Sequence, residues 1–115
     1  MDRFPDILAN ALSGELPGTD VQWEMASSDR RMSNYPRVPG DNARRAAVMI
    51  LLYRNRGDIC TLFMQRPVYG GVHSGQISFP GGKEEPGDSD LIQTALRETH
   101  EETGADITSI RVLGT

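Results

Sequence analysis

A single cysteine, Cys60, means that no disulfide can form within the chain; in its apolar setting it reads as a buried, reduced thiol. Basic residues are outnumbered, with 12 Lys and Arg against 16 Asp and Glu and a net charge of −4. That balance gives no general attraction to nucleic acid or to an anionic membrane, so a phosphate-bearing partner has to be held locally. No apolar run approaches the ~18 residues of a membrane span. Met1-Asp2-Arg3-Phe4-Pro5 opens without the apolar core of a signal peptide. Internal repeats and low-complexity tracts are missing as well. These absences leave a cytoplasmic globular protein as the expectation. The 37% hydrophobic and 24% charged residues suit one soluble domain.

Phe4, Ile7, Leu8, Ala11 and Leu12 follow helical spacing, and Gly14 with Pro17-Gly18 ends that segment. Residues 17–44 show no clear period and read as an irregular connection pinned by Trp23 and Met25. The character changes at "AAVMILLY", residues 46–53, a continuous apolar run that predicts a strand buried on both faces. Residues 54–58 carry turn chemistry, and "ICTLFMQR", residues 59–66, predicts the antiparallel partner. A glycine-rich loop over 67–75 leads to a short strand, "QISF", and then to a loop at Pro80-Gly81-Gly82. A helix capped by Asp88 or Ser89 is expected to run to about Thr103, with Gly104 at its stop. "ITSIRVLG" reads as one more strand. The chain is thus expected to be α/β, with an N-terminal helix and irregular extension over 1–45 and the main domain over 46–115.

The helix ends in "RETHEETG", which places Glu98, Glu101 and Glu102 within five residues. Like charges at this spacing repel by roughly 0.2–0.5 kcal/mol per pair, and the negative end of the helix dipole disfavours acids. At about 100° per residue, Leu91, Ile92, Ala95, Leu96 and Thr99 form one apolar stripe. Glu102 projects onto its edge with Glu98 beside it, while Glu101 points further toward solvent with Arg97 next to it. A solvated acidic face is the ordinary account of such a run. A desolvated carboxylate without a partner is costly, however. Arg97 is the only local counter-charge, and it faces Glu101 rather than Glu102. A divalent cation would relieve all three penalties, and hard oxygen donors suit Mg²⁺ or Mn²⁺ better than Zn²⁺.

"GGKEEPGDSDLIQTALRETHEETGA" resembles the Nudix box, G-x5-E-x7-R-E-U-x-E-E-x-G-U, where U is aliphatic. Arg97, Glu98, Glu101, Glu102 and Gly104 match its second half without a gap. In its first half Asp88 stands at the place of the glutamate, one residue out of register with Arg97. Thr99 and Ala105 replace aliphatics. Upstream, "LFMQRPVYGGVHSGQISFPGG" is similar to the coenzyme A diphosphatase branch, L-L-T-x-R-S-x3-R-x3-G-x3-F-P-G-G. Leu62, Arg66, Gly75, Phe79, Pro80, Gly81 and Gly82 stand in register. Phe63, Met64, Pro67 and Gly71 depart from it, the last by removing a basic residue.

The resemblance, over about residues 46–113, implies a mixed sheet flanked by helices, an α/β/α sandwich expected to be incomplete at its C-terminus. It implies a hydrolase that cleaves a diphosphate bond in a small molecule, with coenzyme A or its derivatives as the leading substrate. The products would be adenosine 3′,5′-bisphosphate and 4′-phosphopantetheine. Another nucleoside diphosphate derivative, or a partial domain without activity, is the alternative. Carried over by position, Glu98, Glu101 and Glu102 are metal ligands for Mg²⁺ or Mn²⁺. Glu98, Glu101 and Arg97 form the catalytic set, with Arg97 holding a glutamate rather than touching substrate. Arg66, Gly81, Gly82 and His73 are the candidate substrate-binding residues, and Tyr69 is a weaker candidate for stacking on a base. His100 is expected to be merely exposed. Neither nucleic acid nor membrane is an expected partner; exposed apolar surface makes a homodimer the expected self-association.

Overall fold

A computed structural model describes residues 3–33, 38–71 and 73–115. Part of the irregular connection expected over 17–44, residues 34–37, lies outside the described residues, as does position 72 of the glycine-rich loop. The chain divides into two compact units, one formed by residues 1–43 with 111–115 and the other by residues 44–110.

The first unit is helical. Helix α1, Phe4–Leu12, has proline in its first turn, where a missing N–H costs nothing. Its Asp6 carboxylate accepts from Arg111 Nη1 at 3.0 Å, on the surface of the same unit. The connection expected to be irregular carries two further short helices, α2, Gly18–Glu24, and α3, Ser28–Met32. Helix α3 is capped by Ser27, whose hydroxyl accepts the Arg30 N–H. Met25 does not pin this region: it is almost wholly exposed, whereas Trp23 is half-buried.

The second unit is α/β, and every strand pair among its described residues is antiparallel. Strand β1, Ala46–Val48, and strand β2, Leu52–Asn55, divide the apolar run that the sequence reads as one strand. Strand β3, Asp58–Thr61, pairs with β2 in the register Asn55↔Asp58. That hairpin closes through Arg56 and Gly57, both at positive φ, as a two-residue turn twisted to match its strands requires. Strand β4, Met64–Gln65, pairs with β5, Ile77–Ser78, and Phe63 stacks on Phe79 beside them at 4.7 Å between ring centroids. Strand β6, Gly81–Lys83, pairs with β1. The chain therefore changes partner between residues 48 and 52, from β6 to β3, and this change breaks the run. The expectation of burial on both faces also fails. Val48 and Ile50 are more than half exposed, while Ala47, Met49 and Leu51 are half-buried.

Helix α4, Leu91–Thr103, packs on β6 and β1 and carries the carboxylate run. Its N-cap is Asp90, which accepts the Gln93 N–H at 2.8 Å, in place of the expected Asp88 or Ser89. Gly104 ends it in the left-handed conformation at φ 72°, with its N–H on the His100 carbonyl. Ala95, Thr94 and Thr99 are its buried residues. The strand expected after α4 is absent from the described residues; a short 3₁₀ turn, Ile107–Ser109, stands there. Asp106 explains it. Its carboxylate takes both the N–H and the hydroxyl of Thr108, a local pairing that competes with an extended backbone. The same hydroxyl bond holds the Asp106 carboxyl below its ordinary range.

Candidate active site

The site is built where α4 crosses the double glycine of β6. The sequence places Gly81 and Gly82 in a loop, but the structure makes them strand residues, in register with Val48 and Ala47. Each lies where a side chain would not fit. A Cβ on Gly81 would overlap the Ala47 carbonyl oxygen and Val48 Cα, so β1 can approach only a glycine there. A Cβ on Gly82 would overlap the carboxylate of Glu98. One turn further on, Glu102 Oε2 accepts the Gly81 N–H at 2.8 Å. Residues i and i+4 of one helix thus rest their carboxylates on two consecutive glycines.

Arg97 organises the other side of the cluster. Its Nε and Nη2 grip Asp88 Oδ1 and Oδ2, each at 3.0 Å, in a two-pronged fork. Nη2 also donates to the Lys83 carbonyl at 2.9 Å. Nη1 donates to Glu98 Oε1 at 3.0 Å and reaches Glu101 at 3.4 Å. A guanidinium has five N–H donors, and these partners account for all of them. None remains for a substrate. Asp88, with a side chain only 6% exposed, also accepts from the hydroxyl of fully buried Thr94 at 2.9 Å and from the Glu85 N–H. The Arg97 hydrogen bonds hold the Asp88 carboxyl far below its usual range, and the Glu85 N–H lowers it further. Reciprocally, the Asp88 bonds, followed by those of Glu98 and Glu101, push the Arg97 guanidinium up.

This arrangement corrects the electrostatic argument made from the sequence. Glu98 is not an unpaired carboxylate, because Arg97 lies closer to it than to Glu101. Glu102 is exposed rather than set at a buried edge, and a backbone N–H serves its Oε2. The crowding of acids is thus relieved in part by Arg97 and Gly81, without an ion. Among the described residues, no group of three or more His, Cys, Asp or Glu side chains is gathered closely enough to hold a metal. The donor chemistry nonetheless fits one. Glu98 Oε2 and Glu102 Oε1 make no hydrogen bond among the described residues, so each carboxylate keeps a hard oxygen uncommitted above the Gly81-Gly82 backbone.

The remaining candidates divide. Arg66 shares with Glu102 an open cleft of about 460 Å³, lined also by Met64, Gln65, Pro67 and Tyr69. That volume suits a small ligand. His73 is not among the residues lining it; at φ 70°, its Nδ1 meets Gln76 Oε1 at 2.9 Å. His100 is exposed, as expected, and pairs with the Ala105 carbonyl. Asp88 and Thr94 are the members that sequence reasoning left without a role. Asp88 offered a signal, an acid close to the box glutamate's place. Thr94 lies off the apolar stripe and offered none.

Comparison with known proteins agrees with this geometry. The NUDIX domain model matches residues 43–115, more than half of the chain. Among curated proteins, the uncharacterized Nudix hydrolase NudL of Yersinia enterocolitica is 42% identical over 73 residues, covering 64% of this chain and 37% of that relative. The mitochondrial coenzyme A diphosphatase NUDT8 of Mus musculus is 46% identical over 70 residues, covering 60% and 33%. A Yersinia pestis NudL is 44% identical over 71 residues, covering 62% and 35%. The chain spans about a third of the length of these relatives. Among the described residues, no helix is long and apolar enough to cross a membrane. With its box residues joined on β6 and α4 and the domain model running from residue 43 to residue 115, the chain belongs to the NUDIX domain family.

Proposed function

We propose that this chain carries the metal-binding and phosphate-facing part of a hydrolase that cleaves a diphosphate bond, with coenzyme A or a derivative as substrate, in the cytoplasm. The observation that carries the reading is the pair of carboxylates, Glu98 and Glu102, resting on Gly82 and Gly81 beside a cleft that holds Arg66. Likeness to a mouse coenzyme A diphosphatase supports the substrate. Glu98 and Glu102 would hold Mg²⁺ or Mn²⁺, with Glu101 joining from the solvent side. When bound, such an ion screens the diphosphate charge and acidifies an attacking water.

The chain's own residues do the rest. Glu98 orients the attacking water. Arg97 fixes the Glu98 and Glu101 carboxylates while Asp88 fixes Arg97, so both acids are oriented before substrate arrives. Arg66 meets a phosphate oxygen, and the glycines at 81 and 82 let β1 and the Glu98 carboxylate come close to β6, which sets the metal-side oxygens in place.

Gly71 favours a second reading, a different nucleoside diphosphate derivative, because a basic residue of the coenzyme A pattern is missing there. A panel of coenzyme A, ADP-ribose, a nucleoside diphosphate sugar and an oxidised nucleoside triphosphate separates the two. A preference of at least tenfold for a coenzyme A compound, about 1.4 kcal/mol in transition-state terms, is expected. The same preference for any other member of the panel would reject the substrate.

A further inference from the structure

The cleft beside Glu102 has an aromatic wall, and its position depends on Gly71. A Cβ built on Gly71 would overlap Tyr69 Cε2 and lie 2.9 Å from Cδ2. The phenol ring therefore rests over bare backbone, and a side chain at position 71 and the ring in this place exclude one another. The surrounding loop is tied to itself. Gly71 N–H donates to the Tyr69 carbonyl at 2.9 Å, Tyr69 N–H to Ser74 Oγ at 2.8 Å, and Gly75 N–H to the Pro67 carbonyl at 3.2 Å. So held, Tyr69 is 51% exposed and lines the cleft with Met64 and Pro67, together with Arg66 and Glu102. An aromatic surface, a guanidinium and a candidate metal-side carboxylate thus face one space.

We propose that Tyr69, seated on Gly71, is a specificity-determining residue whose ring stacks on the base of a nucleoside diphosphate group. The phosphates of that group lie toward Arg66 and Glu102. The inference rests on the diphosphatase reading and adds the part of the substrate that this wall recognises. A flat π-face offers contact to any base without reading its edges. A cation at position 71 would instead grip phosphate, and it would evict the ring. Glycine at position 71 therefore favours stacking over charge.

The test titrates the protein, with Mg²⁺ present, with ADP, with inorganic pyrophosphate and with 4′-phosphopantetheine by calorimetry. Circular dichroism confirms the fold of each variant. Wild-type protein is expected to bind ADP at least tenfold tighter than pyrophosphate. Tyr69→Ala removes that advantage, Tyr69→Phe keeps it, and Gly71→Ala reduces it by displacing the ring; pyrophosphate affinity stays within about twofold throughout. Tyr69→Ala protein that binds ADP within twofold of wild type overturns the inference. So does a Tyr69→Ala loss confined to 4′-phosphopantetheine, which would assign the wall to the other arm of the substrate. If pyrophosphate binds and the base adds nothing, the inference fails alone. If neither ADP nor pyrophosphate binds, it falls together with the diphosphatase reading.

Discussion

Adding one methyl group to each of the two adjacent glycines should have opposite consequences. At Gly81 the new Cβ would meet the Ala47 carbonyl and Val48 Cα, which are backbone atoms of the paired strand β1. They can move only if the ladder opens. Overpacking of this kind costs about 1–3 kcal/mol, and a backbone at φ 156° that L side chains rarely adopt adds a similar ~1–3 kcal/mol. At roughly 4–8 °C per kcal/mol for a domain of this size, Gly81→Ala should lower Tm by about 10 °C or more. At Gly82 the obstacle is the Glu98 carboxylate, the far end of a flexible side chain. Turning it aside costs about 0.5–1.5 kcal/mol, offset by the ~0.5–1 kcal/mol that alanine gains over glycine in a strand. Gly82→Ala should leave Tm within about 5 °C. It should cost about a hundredfold in rate, the usual penalty for misplacing a catalytic group by about 1 Å. Thermal unfolding by circular dichroism and diphosphate hydrolysis on the same samples read both effects. Gly82→Ala protein with a near-normal rate would refute the placement of Glu98 on β6, and Gly81→Ala protein with an unchanged Tm would refute the close approach of β1.

Glu98→Gln and Glu102→Gln should each lower turnover by several orders of magnitude with the fold intact, and Glu101→Gln should do less, since its carboxylate is turned toward Arg97 at 3.4 Å; steady-state kinetics at saturating Mg²⁺ checks the order. Asp88 has a folded pKa depressed by Arg97, so its contribution to stability is full above the unfolded value of about 3.8 and is lost as the pH falls from there toward the folded value. Asp88→Asn should therefore flatten the acid side of a Tm-versus-pH profile between about pH 4 and 2, and an unchanged slope would count against the fork. Val48, Ile50, Phe63 and Ile77 are each more than half exposed, apolar surface that self-association would cover. The polypeptide should accordingly elute as a dimer or larger in size-exclusion chromatography; a monodisperse monomer would contradict this.

Local signals were legible where chemistry is local. Proline near the start of α1, the Arg56-Gly57 turn and the Gly104 stop all stand where residue type alone puts them. The box residues could be read because their spacing is fixed by one helix. The partner change inside residues 46–53 could not, since an apolar run carries no mark of which strand each half will join. Nor could the short helices after Pro17, whose caps are weak. The strand expected near residue 107 lost to a side-chain hydrogen bond of Asp106, a competition invisible to hydrophobic pattern. In the site, helical projection put Glu98, Glu101 and Arg97 on neighbouring faces. It could not show that Asp88, nine positions before Arg97, takes the strongest grip on it, because that contact returns through a turn. Two of the three carboxylates in the helix-end run are in fact paired with Arg97. The case for the ion now rests on the uncommitted oxygens of Glu98 and Glu102 and on family membership.

Direct measurement of that ion is the most immediate test. Mn²⁺ titrated into the protein and followed by electron paramagnetic resonance counts bound cation without requiring turnover or a chosen substrate. The wild-type chain should bind Mn²⁺ in competition with Mg²⁺, Glu98→Gln and Glu102→Gln should each weaken it at least tenfold, and the double variant should abolish it while the far-ultraviolet spectrum stays unchanged. A double variant that binds Mn²⁺ as tightly as wild type would contradict the account.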